Sequence, residues 1–356
     1  VLVCAAFYLP LVGRGFTSED FLLLRLLDEA PPWTDLSGLL TRPWLGVESV
    51  GFYRPVAWLL FGVEEAVFGT WSPGYNLVHL AIHLWSVTRI FEIVRLVCHR
   101  AEGEVGSERW WHVEAPALGA ALCFGLYPLH PNAVSWAASY ANLFGSAFVL
   151  TGLWLFISAD ERRSLSRYLG SFVCTLLALG SYESSVLVPV LVVLLEVFVL
   201  RSPPRRIAAV MAIGATVLAV YFLVRRAVVG ATVGGYVGAM DVFFGPPGAL
   251  LNQVGRALSL FLWPRYDAPI SSASGWFCLA ALGLIVLVAS VVFLRSPGWR
   301  FEAALILFSG AFVVGAMAPF SFGLVWPGEG RYFYLSAAGF AIGFGALVRL
   351  ASRLSG

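Results

Sequence analysis

Residues 268–294 read APISSASGWFCLAALGLIVLVASVVFL, and this stretch contains no Asp, Glu or Arg. A membrane-spanning helix needs about 20 mainly apolar residues, because that length crosses roughly 30 Å of hydrocarbon. Residues 207–224 and 303–328 are equally free of these charged residues. Three such segments predict an integral membrane protein.

The composition of the whole chain supports the same class. Of 356 residues, 59% are hydrophobic and 12% are charged, and the mean hydropathy is +0.82. A soluble domain has about a quarter of its residues charged, and a disordered chain lacks this apolar content. All 23 basic residues are arginine and the net charge is +2, which gives no reason to expect nucleic acid as a partner. The five cysteines are isolated, with no CxxC pair, so the sequence predicts neither a metal site nor a disulfide framework.

We predict an all-α protein with about ten transmembrane helices, within a range of nine to twelve. Residues 115–159 are long enough for two spans, with a turn at Pro128 and Pro131. Residues 55–70 and 247–264 either lie in the membrane interface or cross it. The remaining candidate spans are 1–13, 73–98, 168–182, 184–200 and 332–349.

The arginines predict the orientation. Short loops on one side of the predicted spans hold most of them, and arginine near span ends favours the cytoplasm. The other side receives the two long segments, 14–55 and 229–256. It also receives the turns around His130, Glu183, Tyr266 and Glu329. We therefore predict one polytopic membrane domain over 1–356, with its active face outside the cytoplasm. The stripe of apolar residues in DFLLLRLLDEA predicts surface helices over 18–42 in the first outer loop.

Glu19 and Asp20 are adjacent carboxylates just beyond the first predicted span. They either support the start of a surface helix, capped by Thr17 or Ser18, or supply a general base. His130 and Asn132 lie at an outer turn, where a histidine beside proline either caps backbone groups or takes part in a site.

Charged residues at the outer ends of spans need partners. Glu183 is costly in apolar surroundings and predicts a cavity or a basic partner. Arg225, Arg226 and Arg331 call for an anion, either a protein carboxylate or a lipid phosphate.

His79 and His83 share one helix face through their i, i+4 spacing. No HExxH pattern or third metal ligand accompanies them, so interhelical hydrogen bonding is the favoured interpretation over metal binding.

Seven segments taken in order resemble the GT-C superfamily of membrane glycosyltransferases. The chain looks most like bacterial relatives of the protein O-mannosyltransferases and of the transmembrane, tetratricopeptide-repeat-containing O-mannosyltransferases. The segments are TSED, FYRPVAWLLF, GYNLVHLAIHL, LYPLHPNAVSW, SYESSVLVP, VRRAVVGATVGGY and GRYFYLS. They extend from about residue 14 to 340.

This resemblance implies an inverting transferase in a bacterial inner membrane that uses a polyprenyl-phosphate-linked sugar as donor. The family's catalytic acidic pair is matched by Glu19 and Asp20, with Asp20 as the expected base. Arg331, Arg225, Arg226 and Tyr334 are expected to bind the donor phosphate. The expected supporting residues are Arg54, His130, Asn132 and Glu183. These residues allow a divalent metal but do not require one.

The chain departs from its relatives after the HP element. Where they often carry Glu, and further on Arg or Asp, this chain offers Asn132, Tyr140 and Asn142. A second interpretation therefore stays open: a noncatalytic subunit of a membrane complex, or a lipid-linked sugar transporter, with the same fold. The expected partners are membrane lipids, the lipid-linked sugar, an unidentified acceptor and, in the second interpretation, a complex partner.

Overall fold

The structure, a computed structural model, describes residues 1–46, 51–102, 110–230, 247–264, 272–321 and 330–355. Within these ranges the regular elements are all helices. The helices are α1 (Leu2–Tyr8), α2 (Ser18–Glu29), α3 (Leu36–Thr41), α4 (Pro55–Phe68), α5 (Ser72–Glu102), α6 (Ala115–Gly125), α7 (His130–Val134), α8 (Tyr140–Arg162), α9 (Leu165–Leu179), α10 (Val188–Leu194), α11 (Pro204–Val229), α12 (Pro247–Leu262), α13 (Ser272–Arg295), α14 (Arg300–Ser321) and α15 (Tyr334–Ser355).

Six helical segments among the described residues are long and apolar enough to cross a membrane. They are Ser72–Ala101, Ala137–Arg162, Pro204–Val229, Ala273–Arg295, Pro297–Pro319 and Gly330–Ser355. The predicted class, an all-helical integral membrane protein, is therefore confirmed. Leu2–Leu11 and Leu165–Leu179 are shorter apolar helices.

The helices α11 and α13 differ from the others because almost all of their apolar surface points outward. Leu223, Phe277 and Leu284 are each more than half exposed. Such surface is stable only against hydrocarbon or another protein, as expected of helices at the periphery of a membrane bundle. By contrast α8 and α15 are mostly buried and form the centre of the bundle.

Prolines interrupt the helices where the sequence predicts a turn. The helix α6 ends at Gly125, Pro128 lies in the connection, and Pro131 occupies the first turn of α7. Proline lacks a backbone N–H and is tolerated in a first helical turn but not in a helix interior. The predicted break within 115–159 is confirmed. The predicted span 184–200 is instead divided into a 3₁₀ turn, α10 and a π-helical turn.

The first long loop folds into the predicted surface helices. In α2, Leu23 and Leu27 are buried while Phe21 and Leu22 are exposed, so one stripe packs on the protein. The buried stripe meets Phe61 of α4 and Tyr140 of α8 in a small core of its own. Within the second long loop, residues 231–246 lie outside the described residues, as do the predicted turns at Tyr266 and Glu329.

The opposite end of the bundle carries an ion-pair network. Arg100 of α5 donates to Asp160 of α8 at 2.9 Å, and Arg206 of α11 bonds both Asp160 and Glu196. Asp160 lies 20 residues beyond Tyr140 on α8, which corresponds to about 30 Å at 1.5 Å per residue. The network therefore lies a membrane thickness away from α2.

Candidate active site

Glu19 and Arg331 meet although they are 312 residues apart in the chain. Arg331 Nη1 donates to Glu19 Oε2 at 3.2 Å. The Arg331 guanidinium lies over the Trp136 ring, 3.9 Å from its centroid. The side chain of Arg331 is 8% exposed and that of Glu19 is 54% exposed. A buried cation beneath the surface helix α2 thus faces a carboxylate of that helix that reaches water.

Asp20 has a different environment. Its Oδ2 accepts from the Thr17 N–H at 2.8 Å and from the Thr17 hydroxyl at 3.2 Å. Its Oδ1 accepts from the Ala138 N–H at 2.7 Å. Thr17 is the N-cap of α2, so Asp20 completes a capping box and ties α2 to the segment before α8. Burial raises the pKa of Asp20, and these three donors oppose that shift.

Arg54 and Glu183 form a second pair at the same end of the bundle. Arg54 Nη2 donates to Glu183 Oε2 at 2.7 Å and Arg54 Nε to Oε1 at 3.0 Å. Their side chains are 10% and 13% exposed, and the Arg54 guanidinium also lies 4.1 Å from the Phe52 ring centroid. Burial alone would lower the pKa of Arg54, but Glu183, together with Tyr182 and Tyr140, more than offsets burial and raises it. The basic partner predicted for Glu183 is therefore Arg54.

Asn142 connects these two pairs. Its amide donates to the Tyr182 hydroxyl at 2.6 Å and to the Arg331 carbonyl at 3.2 Å. Tyr182 directly precedes Glu183 in the chain, and its ring lies 5.5 Å from the Arg54 guanidinium. Asn142 is thus a buried bridge between the segments that carry both arginines.

His130 and Tyr334 lie in a separate buried cluster. Their ring centroids are 4.4 Å apart, and the Tyr334 hydroxyl is 2.8 Å from His83 Nδ1. Burial lowers the pKa of His130. The tyrosine that contacts the Arg331 guanidinium is Tyr332, whose hydroxyl accepts from Nη2 at 3.3 Å.

The remaining predicted residues lie around these clusters. Arg225 is buried and donates to the Gly51 carbonyl at 2.6 Å, which ties α11 to the segment just before Arg54. Arg226, the next residue, is exposed. The backbone carbonyl of Asn132 accepts a hydrogen bond from the Ser139 hydroxyl at 3.2 Å, so Asn132 contributes to the turn that leads into α8.

Trp136 and Tyr332 are site residues that the sequence analysis missed. Trp136 follows the HP element within LYPLHPNAVSW, and Tyr332 directly follows Arg331. An aromatic residue beside a lone outer arginine is the signal that points to Tyr332, because arginine stacks on aromatic rings. No arginine lies near Trp136 in the sequence, so no local signal points to it.

His79 pairs with a carboxylate inside the bundle. Its Nε2 lies 3.7 Å from Glu64 Oε2, and both side chains are buried. Among the described residues, no three His, Cys, Asp or Glu side chains lie together to hold a metal ion.

In comparisons with family models, curated proteins and solved structures, no family model, protein or structure matched this chain.

Proposed function

We propose that this protein is a GT-C-like membrane glycosyltransferase with about ten spans. It transfers a sugar from a polyprenyl-phosphate-linked donor to an acceptor hydroxyl at the noncytoplasmic face of a bacterial inner membrane. The observation that carries the proposal is the Glu19–Arg331 pair, since a water-accessible carboxylate and a buried guanidinium lie 3.2 Å apart. The resemblance of the seven sequence segments supports the same function.

Arg331 is the cation for the donor phosphate. A phosphate oxygen that binds its guanidinium replaces the Glu19 carboxylate, and stacking on Trp136 keeps the guanidinium in place. Because Glu19 is 54% exposed, its carboxylate returns to water at small cost when this pair opens. Donor binding thereby releases the carboxylate.

The released Glu19 then acts as general base. The acceptor oxygen forms a bond to the anomeric carbon, the bond from that carbon to the phosphate oxygen breaks, and Glu19 takes the hydroxyl proton. Arg331 stabilises the negative charge left on the polyprenyl phosphate. A single displacement of this kind inverts the configuration of the sugar.

In this proposal Asp20 is a positioning residue. Its oxygens already accept three hydrogen bonds, which hold α2 so that Glu19 faces Arg331. Arg54 and Glu183 form a neutral, buried support for Tyr182 and Asn142.

A second candidate is a noncatalytic protein that binds lipid-linked sugars, either as a complex subunit or as a transporter. It is favoured by the internal neutralisation of Arg54 and Arg331 by Glu183 and Glu19. In this case the Glu19–Arg331 pair opens on binding, but no sugar is transferred.

Sugar transfer from a panel of polyprenyl-phosphate sugars into membranes tests the proposal. Glu19→Gln should bind the donor at least as tightly as wild type, because a competitor of the phosphate is gone. It should nevertheless transfer the sugar about 10²- to 10⁴-fold more slowly, which is the contribution of a general base. Arg331→Ala should weaken donor binding. Glu29→Gln is the matched control, since Glu29 is on the same helix, is 55% exposed and pairs with Arg25.

Each outcome separates the candidates. Donor binding by wild type without transfer from any donor would favour the noncatalytic protein. Equal transfer by Glu19→Gln and Glu29→Gln would remove Glu19 from catalysis.

The proposed orientation has its own test in intact cells. Single cysteines replacing Glu19 or Arg226, in a background without the five native cysteines, should react with an impermeant thiol reagent. A cysteine replacing Arg163 should not. The reverse pattern would place the site in the cytoplasm.

A further inference from the structure

Two neighbouring helices carry matching apolar stripes on the bundle surface. On α5 the stripe is Val78, Ala81, Ile82 and Trp85, and on α8 it is Phe144, Ala147, Phe148 and Thr151. Each set has the spacing i, i+3, i+4, i+7, which places its members on one face of a helix over about 10 Å.

The two stripes line a groove of about 520 Å³, to which Leu60 and Cys174 also contribute. Trp85 marks one end, where its indole N–H donates to the Thr151 hydroxyl at 2.9 Å. Val78 and Phe144 mark the other end, toward the candidate active site. The groove thus runs along the membrane-spanning part of the bundle.

The next helical turn beyond Trp85 and Thr151 is cationic. The Arg89 guanidinium lies between two indoles, 4.4 Å from the Trp85 centroid and 4.1 Å from the Trp154 centroid. The Arg167 guanidinium of α9 lies 5.9 Å from the centroid of the same Trp154 ring.

Neither arginine forms a direct ion pair with a carboxylate among the described residues, although Glu92 of the same helix attracts Arg89 at longer range. The buried Nε of Arg89 has no hydrogen-bond acceptor, and Glu92, one turn further along α5, pairs with Arg95 at 3.5 Å. Arg100, further along α5, is by contrast neutralised by Asp160. An arginine at membrane depth is costly without an anionic partner. Arg89 and Arg167 lack the paired carboxylate that Arg95, Arg100 and Arg206 have.

We propose that an anionic glycerophospholipid occupies this site, in the leaflet opposite to the candidate active site. Its phosphate bonds Arg89 and Arg167, and one acyl chain lies in the groove between α5 and α8. Charge complementarity selects the head group, because two unpaired guanidinium groups meet at the end of an apolar groove. The function of such a lipid is to hold α5, α8 and α9 together, and it is independent of the proposed sugar transfer.

The geometry also argues against the polyprenyl donor as the occupant. The donor phosphate is assigned to Arg331, close to Asn142 on α8. Trp154 lies 12 residues further along α8, a distance of about 18 Å. One phosphate cannot bind at both ends.

Native mass spectrometry of the delipidated full-length protein tests the site. The probes are long-chain phosphatidylglycerol, long-chain phosphatidylcholine, dihexanoyl phosphatidylglycerol, inorganic phosphate and a polyprenyl phosphate. Wild type should bind long-chain phosphatidylglycerol about tenfold more tightly than long-chain phosphatidylcholine, dihexanoyl phosphatidylglycerol or inorganic phosphate. The double variant Arg89→Gln, Arg167→Gln should lose that preference. The double variant Arg162→Gln, Arg163→Gln removes the same charge from exposed positions and should keep it.

A second variant tests the groove without changing any charge. Ala81→Trp fills the groove and should weaken long-chain phosphatidylglycerol about tenfold, whereas Ala280→Trp, on the exposed face of α13, should not. Equal binding of phosphatidylglycerol and phosphatidylcholine by wild type would overturn the proposal, as would unchanged binding by both test variants. Polyprenyl phosphate that competes with phosphatidylglycerol for Arg89 and Arg167 would overturn the choice of occupant.

Discussion

The two adjacent carboxylates of α2 should separate stability from activity. Asp20 is 1% exposed and accepts three hydrogen bonds, two of them from backbone N–H groups. Glu19 is half exposed and has one ion pair. Substitution at Asp20 should therefore destabilise the protein, and substitution at Glu19 should reduce sugar transfer.

The expected magnitude for Asp20→Ala follows from its contacts. Loss of a helix N-terminal capping interaction costs about 1 kcal/mol, and loss of the bond from the Ala138 N–H to a charged oxygen costs about 1.5–3 kcal/mol. The free energy of unfolding should fall by about 2–4 kcal/mol. Asp20→Asn keeps one side-chain oxygen, so its free energy of unfolding should fall by less. Glu19→Ala removes the 54% exposed partner of the 8% exposed Arg331, which keeps its stacking on Trp136, and it should cost less than Asp20→Ala.

Unfolding by sodium dodecyl sulfate in mixed micelles, followed by tryptophan fluorescence, measures these free energies. Transfer is then assayed at detergent compositions where every variant is folded. The reasoning is refuted if Asp20→Ala unfolds like wild type. If Asp20→Asn is folded and inactive while Glu19→Gln transfers normally, Asp20 is the base that the sequence predicts.

Three further outcomes are expected. Arg54→Met should lower the free energy of unfolding by about 3–5 kcal/mol, because it leaves Glu183 buried and unpaired. The double variant Arg54→Met, Glu183→Leu should recover most of the lost free energy in the same unfolding assay. Stability should fall as the pH drops below about 6.5. Burial holds the folded-state pKa of His130 below its unfolded value, so the unfolded chain binds the proton more readily. His130→Phe should flatten this dependence in a pH series of unfolding curves. Gly145→Ala should lower the thermal unfolding temperature because a Cβ there lies 2.5 Å from a tyrosine side chain, whereas Gly283→Ala, which meets nothing within 4 Å, should not.

The fold class was predictable because the membrane imposes a strong pattern. An uncharged run such as 268–294 has few alternatives to a spanning helix, since the backbone polar groups must be satisfied within the segment. The break at Pro128 and Pro131 follows from the missing proline N–H in the same way. The amphipathic stripe of α2 likewise predicted a helix on the membrane surface, and the structure shows a helix there whose Leu23 and Leu27 pack on the protein.

The pairings of the site were not predictable from one sequence. Glu19 and Arg331 are 312 residues apart, and Arg54 and Glu183 are 129 residues apart. Nothing local determines which outer arginine meets which outer carboxylate.

The tyrosines near Arg331 show the same limit over a shorter distance. Gly330–Phe333 form a 3₁₀ turn, and α15 begins at Tyr334. Tyr332 therefore turns toward the guanidinium, and Tyr334 packs against His130.

The two arginine–glutamate pairs have the same chemistry but different capacities to exchange partners. An incoming phosphate that replaced Glu183 at Arg54 would deprive the Glu183 carboxylate of its cation. Because that carboxylate is only 13% exposed, the exchange would carry the cost of breaking a buried ion pair. To replace Glu19 at Arg331, the phosphate displaces a carboxylate that is already 54% exposed and that water can solvate. Because the ring of Trp136 already stacks on Arg331, the proposed exchange would not require the cation to be repositioned. Exposure, rather than the identity of the charged groups, is therefore the reason that we propose Arg331 as the anion-binding arginine and Arg54 as a structural one.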